Sequence, residues 1–195
     1  MQQLKFGMRE LESGNLDTAE QVFRSILEVN SSEIHSLHFL GVVLCQKGDV
    51  ATGAALIEKS ISIDSSRFSP LLNLGRFLVN GKQYMRARPI LQEAVKRDGK
   101  SYAAWNLLAQ LYFHQDDISR AAIAARKVCA LAPEVPEAYF DLGVYLSALE
   151  EYEDAIDAYK RAVALKSDYL EAWVNLANLW KANGKVNEAM SAYQN

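Results

Sequence analysis

Apolar residues recur along this chain every three to four positions, and the whole pattern returns every 34 residues. In residues 136–169, Tyr139, Leu142, Gly143 and Leu146 mark one face of a first segment. After a short polar turn, Tyr152, Ala155, Ile156, Tyr159, Ala162 and Val163 mark one face of a second. Both are stripes of amphipathic helices. Trp173, Leu176, Ala177, Trp180 and Ala189 repeat these positions one period later. In this register the chain divides without insertion into units 1–33, 34–67, 68–101, 102–135, 136–169 and a partial 170–195. Each unit predicts a helical hairpin. First helices are expected near 1–13, 34–47, 68–81, 102–115, 136–149 and 170–183, and second helices near 16–29, 50–63, 83–97, 117–131, 152–165 and 185–194. A register unbroken over residues 1–195, with no linker, predicts one continuous array.

Small residues punctuate the pattern. The eighth position of the units reads Gly7, Gly41, Gly75, Ala109, Gly143 and Ala177, and the twentieth reads Ala19, Gly53, Ala87, Ala121, Ala155 and Ala189. Glycine inside a helix costs about 0.5–1 kcal/mol relative to alanine, so a compensating close approach between the two helices is expected. The seventh position, Phe6, Leu40, Leu74, Leu108, Leu142 and Leu176, is always large and apolar and should supply the core between units. Leu16, Val50, Tyr84, Ile118, Tyr152 and Val186 open the second helices and should fill the hairpin corner. Turns are signalled by Gly14, Gly48, Gly81 and Gly184 with their polar neighbours. Pro89 falls well inside one second helix, where it removes a backbone donor, and predicts a kink or a late start there.

A 34-residue unit with an aromatic at the fourth position, Leu-Gly at the seventh and eighth and Ala at the twentieth resembles the tetratricopeptide repeat. The segments 138–143 and 172–177 match it best, and the resemblance covers the entire chain. It implies an all-α fold, a right-handed superhelical solenoid of about six helix-turn-helix repeats. The chain departs from the family at Glu10, where an aromatic is usual, and at Lys82, Asp116 and Glu150, where the turn glycine is usual. Pro133 alone keeps the family's proline at the thirty-second position.

Charge and composition narrow the function. A net charge of −3 gives no electrostatic footprint for nucleic acid. No apolar run approaches the ~20 residues of a membrane span, and the N-terminus lacks the apolar centre of a signal peptide. Two cysteines without a secretion signal point to a reducing, cytoplasmic location. Cys45 and Cys129 lie in different units, too far apart in such an array for a disulfide. His35 and His38 are three residues apart but lack a third ligand, so polar groove residues are the better reading than a metal site. Acid pairs such as Glu153 and Asp154 stand at a helix start, where carboxylates favour the dipole. Neither catalytic activity nor a cofactor is expected.

The resemblance implies that first helices line a concave groove that binds a protein or peptide. Candidate groove residues are His35, His38, Asn73, Arg76, Asn106, Gln110, Asp141, Asn175 and Asn178. Amides dominate, and an amide both donates and accepts, which suits a peptide main chain. The carboxylate-clamping domains of chaperone partners resemble this fold, but the matching face offers Asn73 and Arg76 without the lysines. The N-terminal arrays of O-linked N-acetylglucosamine transferases and related bacterial enzymes carry asparagines along the groove. Asn73 and Asn175 hold that sixth position here, whereas Lys5, Phe39, Leu107 and Asp141 do not. The primary expectation is a peptide-binding scaffold, and the alternative is the substrate-recruiting region of a larger glycosyltransferase. The sixth unit stops inside its second helix, so Trp180 and Tyr193 should belong to an incompletely covered surface open to self-association.

Overall fold

The structure, a computed structural model, describes residues 2–192. Those residues are helical throughout, joined by short turns, with no strand among them. The first helices of the units are α1 (Gln2–Glu12), α3 (Ile34–Gln46), α5 (Phe68–Asn80), α7 (Tyr102–His114), α9 (Pro136–Ala148) and α11 (Leu170–Ala182). The second helices are α2 (Leu16–Val29), α4 (Val50–Ile63), α6 (Tyr84–Arg97), α8 (Ile118–Leu131), α10 (Tyr152–Leu165) and α12 (Val186–Ala192).

One device ends every first helix. The fifteenth residue of each unit adopts positive φ: Gly14, Gly48 and Gly184, and also Lys82, Asp116 and Glu150. The amide that follows reaches back five residues to a carbonyl, as in Gln83 N to Leu78 O (2.8 Å) and Glu151 N to Leu146 O (2.9 Å). The left-handed residue's own amide takes the carbonyl three back, as in Lys82 N to Val79 O (2.9 Å). This pair of bonds is a Schellman cap, which satisfies the last carbonyls of the helix. Several helices begin on an acceptor side chain: Glu33 receives the amides of His35 and Ser36, Asp49 that of Thr52, Ser101 that of Ala104 and Asp117 that of Arg120.

The chain forms two compact units, Met1–Gly99 and Lys100–Asn195. The first holds α1–α6 and the second α7–α12. In both, the two helices of a hairpin pack through the small residues. Ala19, Ala87, Ala121 and Ala155 are fully buried. A side chain four residues further along the second helix fills the space above the glycine: Phe23 over Gly7, Ile57 over Gly41, Leu91 over Gly75 and Tyr159 over Gly143. At α3 and α4 the approach is closest, because a glycine stands on each helix and a Cβ on Gly41 would lie 2.6 Å from the Gly53 carbonyl oxygen.

The seventh-position leucines Leu40, Leu74, Leu108, Leu142 and Leu176 are buried as expected, but Phe6 is not. It is 40% exposed, because no described hairpin precedes α1 to cover it. Tyr152 and Val186 are also exposed rather than filling a hairpin corner. α6 starts at Tyr84 in the same register as its counterparts, so Pro89 does not delay the helix, and it lies on the exposed side. Cys45 and Cys129 are buried free thiols, each pushed up to about 11 by burial. At α11 and α12, Leu170, Val174, Val186 and Met190 are exposed, and Trp180 is half-buried. Tyr193 lies outside the described residues.

Candidate functional site

In Met1–Gly99 the expected residues form a linked polar group on α3 and α5. His38 is 1% exposed, stacked on Phe39 with ring centroids 4.7 Å apart, so it is an interior residue rather than the surface residue expected. The apolar run 37–45 buries most of α3, and position five of this unit turns inward with it. His38 Nε2 lies 3.0 Å from Asn73 Nδ2, while Asn73 Oδ1 accepts from Arg76 Nη2 at 2.5 Å. The arginine fixes the amide, so Asn73 donates to His38, and the histidine carries its proton on Nδ1. Burial first, then Arg67 and His35, hold the imidazole down to about 4, so it is neutral at physiological pH. His35 is exposed and meets Arg67 Nη2 at 3.2 Å.

In Lys100–Asn195 the residues fall on three first helices: Asn106 and Gln110 on α7, Asp141 on α9, Asn175 and Asn178 on α11. All are half-buried except Asn178, which is exposed. Asn175 Nδ2 donates to Tyr159 Oη at 3.3 Å. Ser147 Oγ donates to Gly143 O (2.7 Å) and lies 3.4 Å from Tyr159 Oη. Burial, then Glu137 one turn away, pushes Asp141 up to about 6.

Aromatic side chains frame this second group, and the residue pattern alone did not assign them to it. Phe140 stands 5.0 Å from Tyr169 and 5.9 Å from Tyr159, and Phe113 stands 4.9 Å from Tyr145, between ring centroids. Tyr145 and Tyr159 fell on core stripes, and Tyr169 in a turn. The legible signal was tyrosine where leucine would fill the core, since a buried phenol asks for a polar partner. Arg67 and Tyr169 share the thirty-fourth position, a turn residue directly before a first helix, and both belong beside these sites.

Among the described residues no group of three or more His, Cys, Asp or Glu is placed to hold a metal ion. No described helix is long and apolar enough to cross a membrane.

A family model described as "Tetratricopeptide repeat" matches residues 72–136, and one described as "TPR repeat" matches 147–184. The human "Protein O-mannosyl-transferase TMTC1" is 24% identical over 186 residues, covering 93% of this chain and 21% of that protein. This chain therefore spans about a fifth of that curated relative. A solved structure, "Functional Characterization of Pseudomonas Aeruginosa pilF", superposes with a TM-score of 0.82 at 21% identity, covering 97% of this chain and 86% of that one. "Crystal structure of YrrB: a TPR protein with an unusual peptide-binding site" superposes with a TM-score of 0.77 at 21% identity, covering 87% and 88%. At these identities the structural likeness establishes the fold.

Proposed function

The chain belongs to the tetratricopeptide repeat family, and we propose from that premise that it is a protein-interaction scaffold binding a peptide on the α7, α9 and α11 face. One observation carries the reading. Asn106, Gln110, Asp141 and Asn175 recur on three successive first helices, half-buried, where the repeat itself requires no polar side chain. An amide half-withdrawn from water is stabilised when a ligand's main chain meets both its donor and its acceptor. The structure called YrrB is described as holding a peptide-binding site, which supports the same use of this fold. In Met1–Gly99, His35, Asn73 and Arg76 offer a smaller and more basic surface for the same purpose, with His38 acting behind Asn73. No chemistry is assigned to the chain.

The test is a peptide array probed with wild type and with Asn106→Ala/Gln110→Ala/Asn175→Ala. Binding is modest in wild type, because each polar contact contributes only about 0.5–1.5 kcal/mol, and the triple variant loses it. Undiminished binding by that variant, together with loss on changing the exposed faces of α8 and α10, would move the site to the second helices.

A second reading has one observation in its favour: the chain aligns along 93% of its length with part of a transferase. On that reading it is the substrate-recruiting segment of a larger glycosyltransferase. A reading frame that encodes an α/β domain beyond these repeats supports it, and one that encodes repeats alone contradicts it.

A further inference from the structure

In Met1–Gly99, Arg9, Arg24, Arg86 and Arg97 each form an ion pair, at 2.6–3.8 Å. Arg67 and Arg76, beside α3 and on α5, form none among the described residues. Arg67 Nη2 meets His35 Nδ1 at 3.2 Å and Arg76 Nη2 meets Asn73 Oδ1 at 2.5 Å instead. The cause is in the sequence: residues 34–46 and 68–80, which form α3 and α5, contain no Asp or Glu, in a chain that has 24 of them. The acids in the turns ahead of these helices are committed. Glu33 accepts from the amides of His35 (3.2 Å) and Ser36 (2.6 Å), and Asp64 from the amide (2.9 Å) and hydroxyl (2.6 Å) of Ser66. The bonds from Ser66 hold the Asp64 carboxyl down first, and the charge of Arg67 adds to them. Arg67, half-buried, is thus answered in part by its own turn, whereas Arg76 is exposed and has no counter-charge at contact distance.

Arg76 is oriented before any ligand arrives. Buried His38 accepts from Asn73 Nδ2 through Nε2, which leaves Asn73 Oδ1 to hold Arg76 Nη2. The guanidinium also lies 5.8 Å from the centroid of the Phe77 ring. Its Nε and Nη1 hydrogens meet no acceptor among the described residues. A guanidinium offers its donors as a planar fork that matches a carboxylate, and one already held in place loses less freedom on binding. One turn before His38, exposed His35 supplies a further donor. Arginine cannot accept, so His35 Nδ1 accepts from Arg67 and the ring proton stands on Nε2.

We propose that the α3 and α5 face takes an acidic segment of a bound peptide, with Arg76 holding a side-chain carboxylate and with Asn73 and His38 as its positioning residues. Donors and a fixed positive charge, without one acid on either helix, select that occupant by charge complementarity. This rests on the reading of the same face as a peptide-binding surface and adds its specificity.

The experiment uses the full chain and an array of acetylated ten-residue peptides, with and without acidic residues, each printed with an amidated and with a free C-terminus. Amidated hits are labelled and titrated, and each Glu is replaced in turn by Gln, its uncharged isostere. The subsite predicts acid-enriched hits, a loss of about tenfold when one Glu becomes Gln, and no discrimination at that position by Arg76→Gln. Asn73→Asp, which gives Arg76 a counter-charge within the chain, should abolish the same discrimination. Arg76 is exposed, so Arg76→Gln should melt with wild type. Hits without acidic residues, an Arg76→Gln protein that still distinguishes Glu from Gln, or hits that need a free C-terminus in place of an acidic side chain overturn the subsite. Asn106→Ala/Gln110→Ala/Asn175→Ala separates this from the broader reading. If that variant loses the hits while Arg76→Gln binds them and still distinguishes Glu from Gln, only the subsite falls. If no peptide binds, the scaffold reading falls with it.

Discussion

Glu150 adopts a φ of 62° and Lys82 one of 56°, where Gly14, Gly48 and Gly184 take 78°, 96° and 73°. For a residue with a Cβ this conformation costs about 1–2 kcal/mol. Glycine removes that strain but adds about 0.5–1 kcal/mol of unfolded-chain entropy. Glu150→Gly and Lys82→Gly should therefore each stabilise the chain by about 0.5–1 kcal/mol, read as a rise in denaturation midpoint. Nothing lies within 4 Å of a Cβ built on Gly48, so Gly48→Ala should destabilise through backbone strain alone. Asp141 supplies a pH test. Raised to about 6, it keeps in the folded chain a proton that the unfolded chain releases near pH 4. Between about pH 4 and 6 the folded chain binds more protons, so this group's contribution to stability falls as pH rises, and above pH 6 its cost of about 1–3 kcal/mol is complete. Asp141→Asn should melt above wild type at pH 8 and level with it near pH 3.5; a constant difference at both pH values would contradict the account. His38 has the opposite sign: held down to about 4, it contributes stability that is lost as pH falls from about 6.5. At this scale the sequence was readable in part. The amides stood out by type and spacing, but the burial of His38 depends on the depth of α3, and that of Asp141 on how α9 packs against its neighbours.

At the scale of the helix, spacing decided nearly everything. α4 and α10 have the bounds that the apolar stripes predict, and the first helices end one residue sooner than expected because the cap requires a left-handed residue at the fifteenth position. Lys82, Asp116 and Glu150 hid that cap from a reading that looked for glycine. The small eighth and twentieth positions foretold close packing but not its detail. A Cβ on Gly7 would meet Phe23 Cε1 at 2.8 Å, and that ring can shift; a Cβ on Gly41 would meet the Gly53 carbonyl oxygen at 2.6 Å, and backbone moves only with its helix. Gly41→Ala should therefore cost more than Gly7→Ala, which belongs within the usual 1–3 kcal/mol of overpacking. Urea midpoints of the two variants give the order, and equal losses would mean that α3 and α4 are not in backbone contact. Pro89 shows that a sequence breaker yields to its neighbours: α6 keeps its register with the proline on the exposed side, its apolar face held by Ala87, Leu91 and Ala94.

For the molecule as a whole, repeat length and register identified the family, and the seventh-position leucines identified the core of each unit. Register did not reveal the division at Gly99, because the 34-residue period runs through it unchanged. Nor did it reveal the aromatic frame around Asp141, which joins residues of three helices and a turn. The central claim is that the first helices α7, α9 and α11 hold a peptide. Nuclear magnetic resonance tests it most directly: a peptide hit from the array is titrated into the isotopically labelled chain, and the backbone amides that shift are mapped. Shifts concentrated on α7, α9 and α11, with Asn106, Gln110, Asp141 and Asn175 among the largest, are the predicted result. Shifts confined to α8 and α10, with those four residues unmoved, would contradict it.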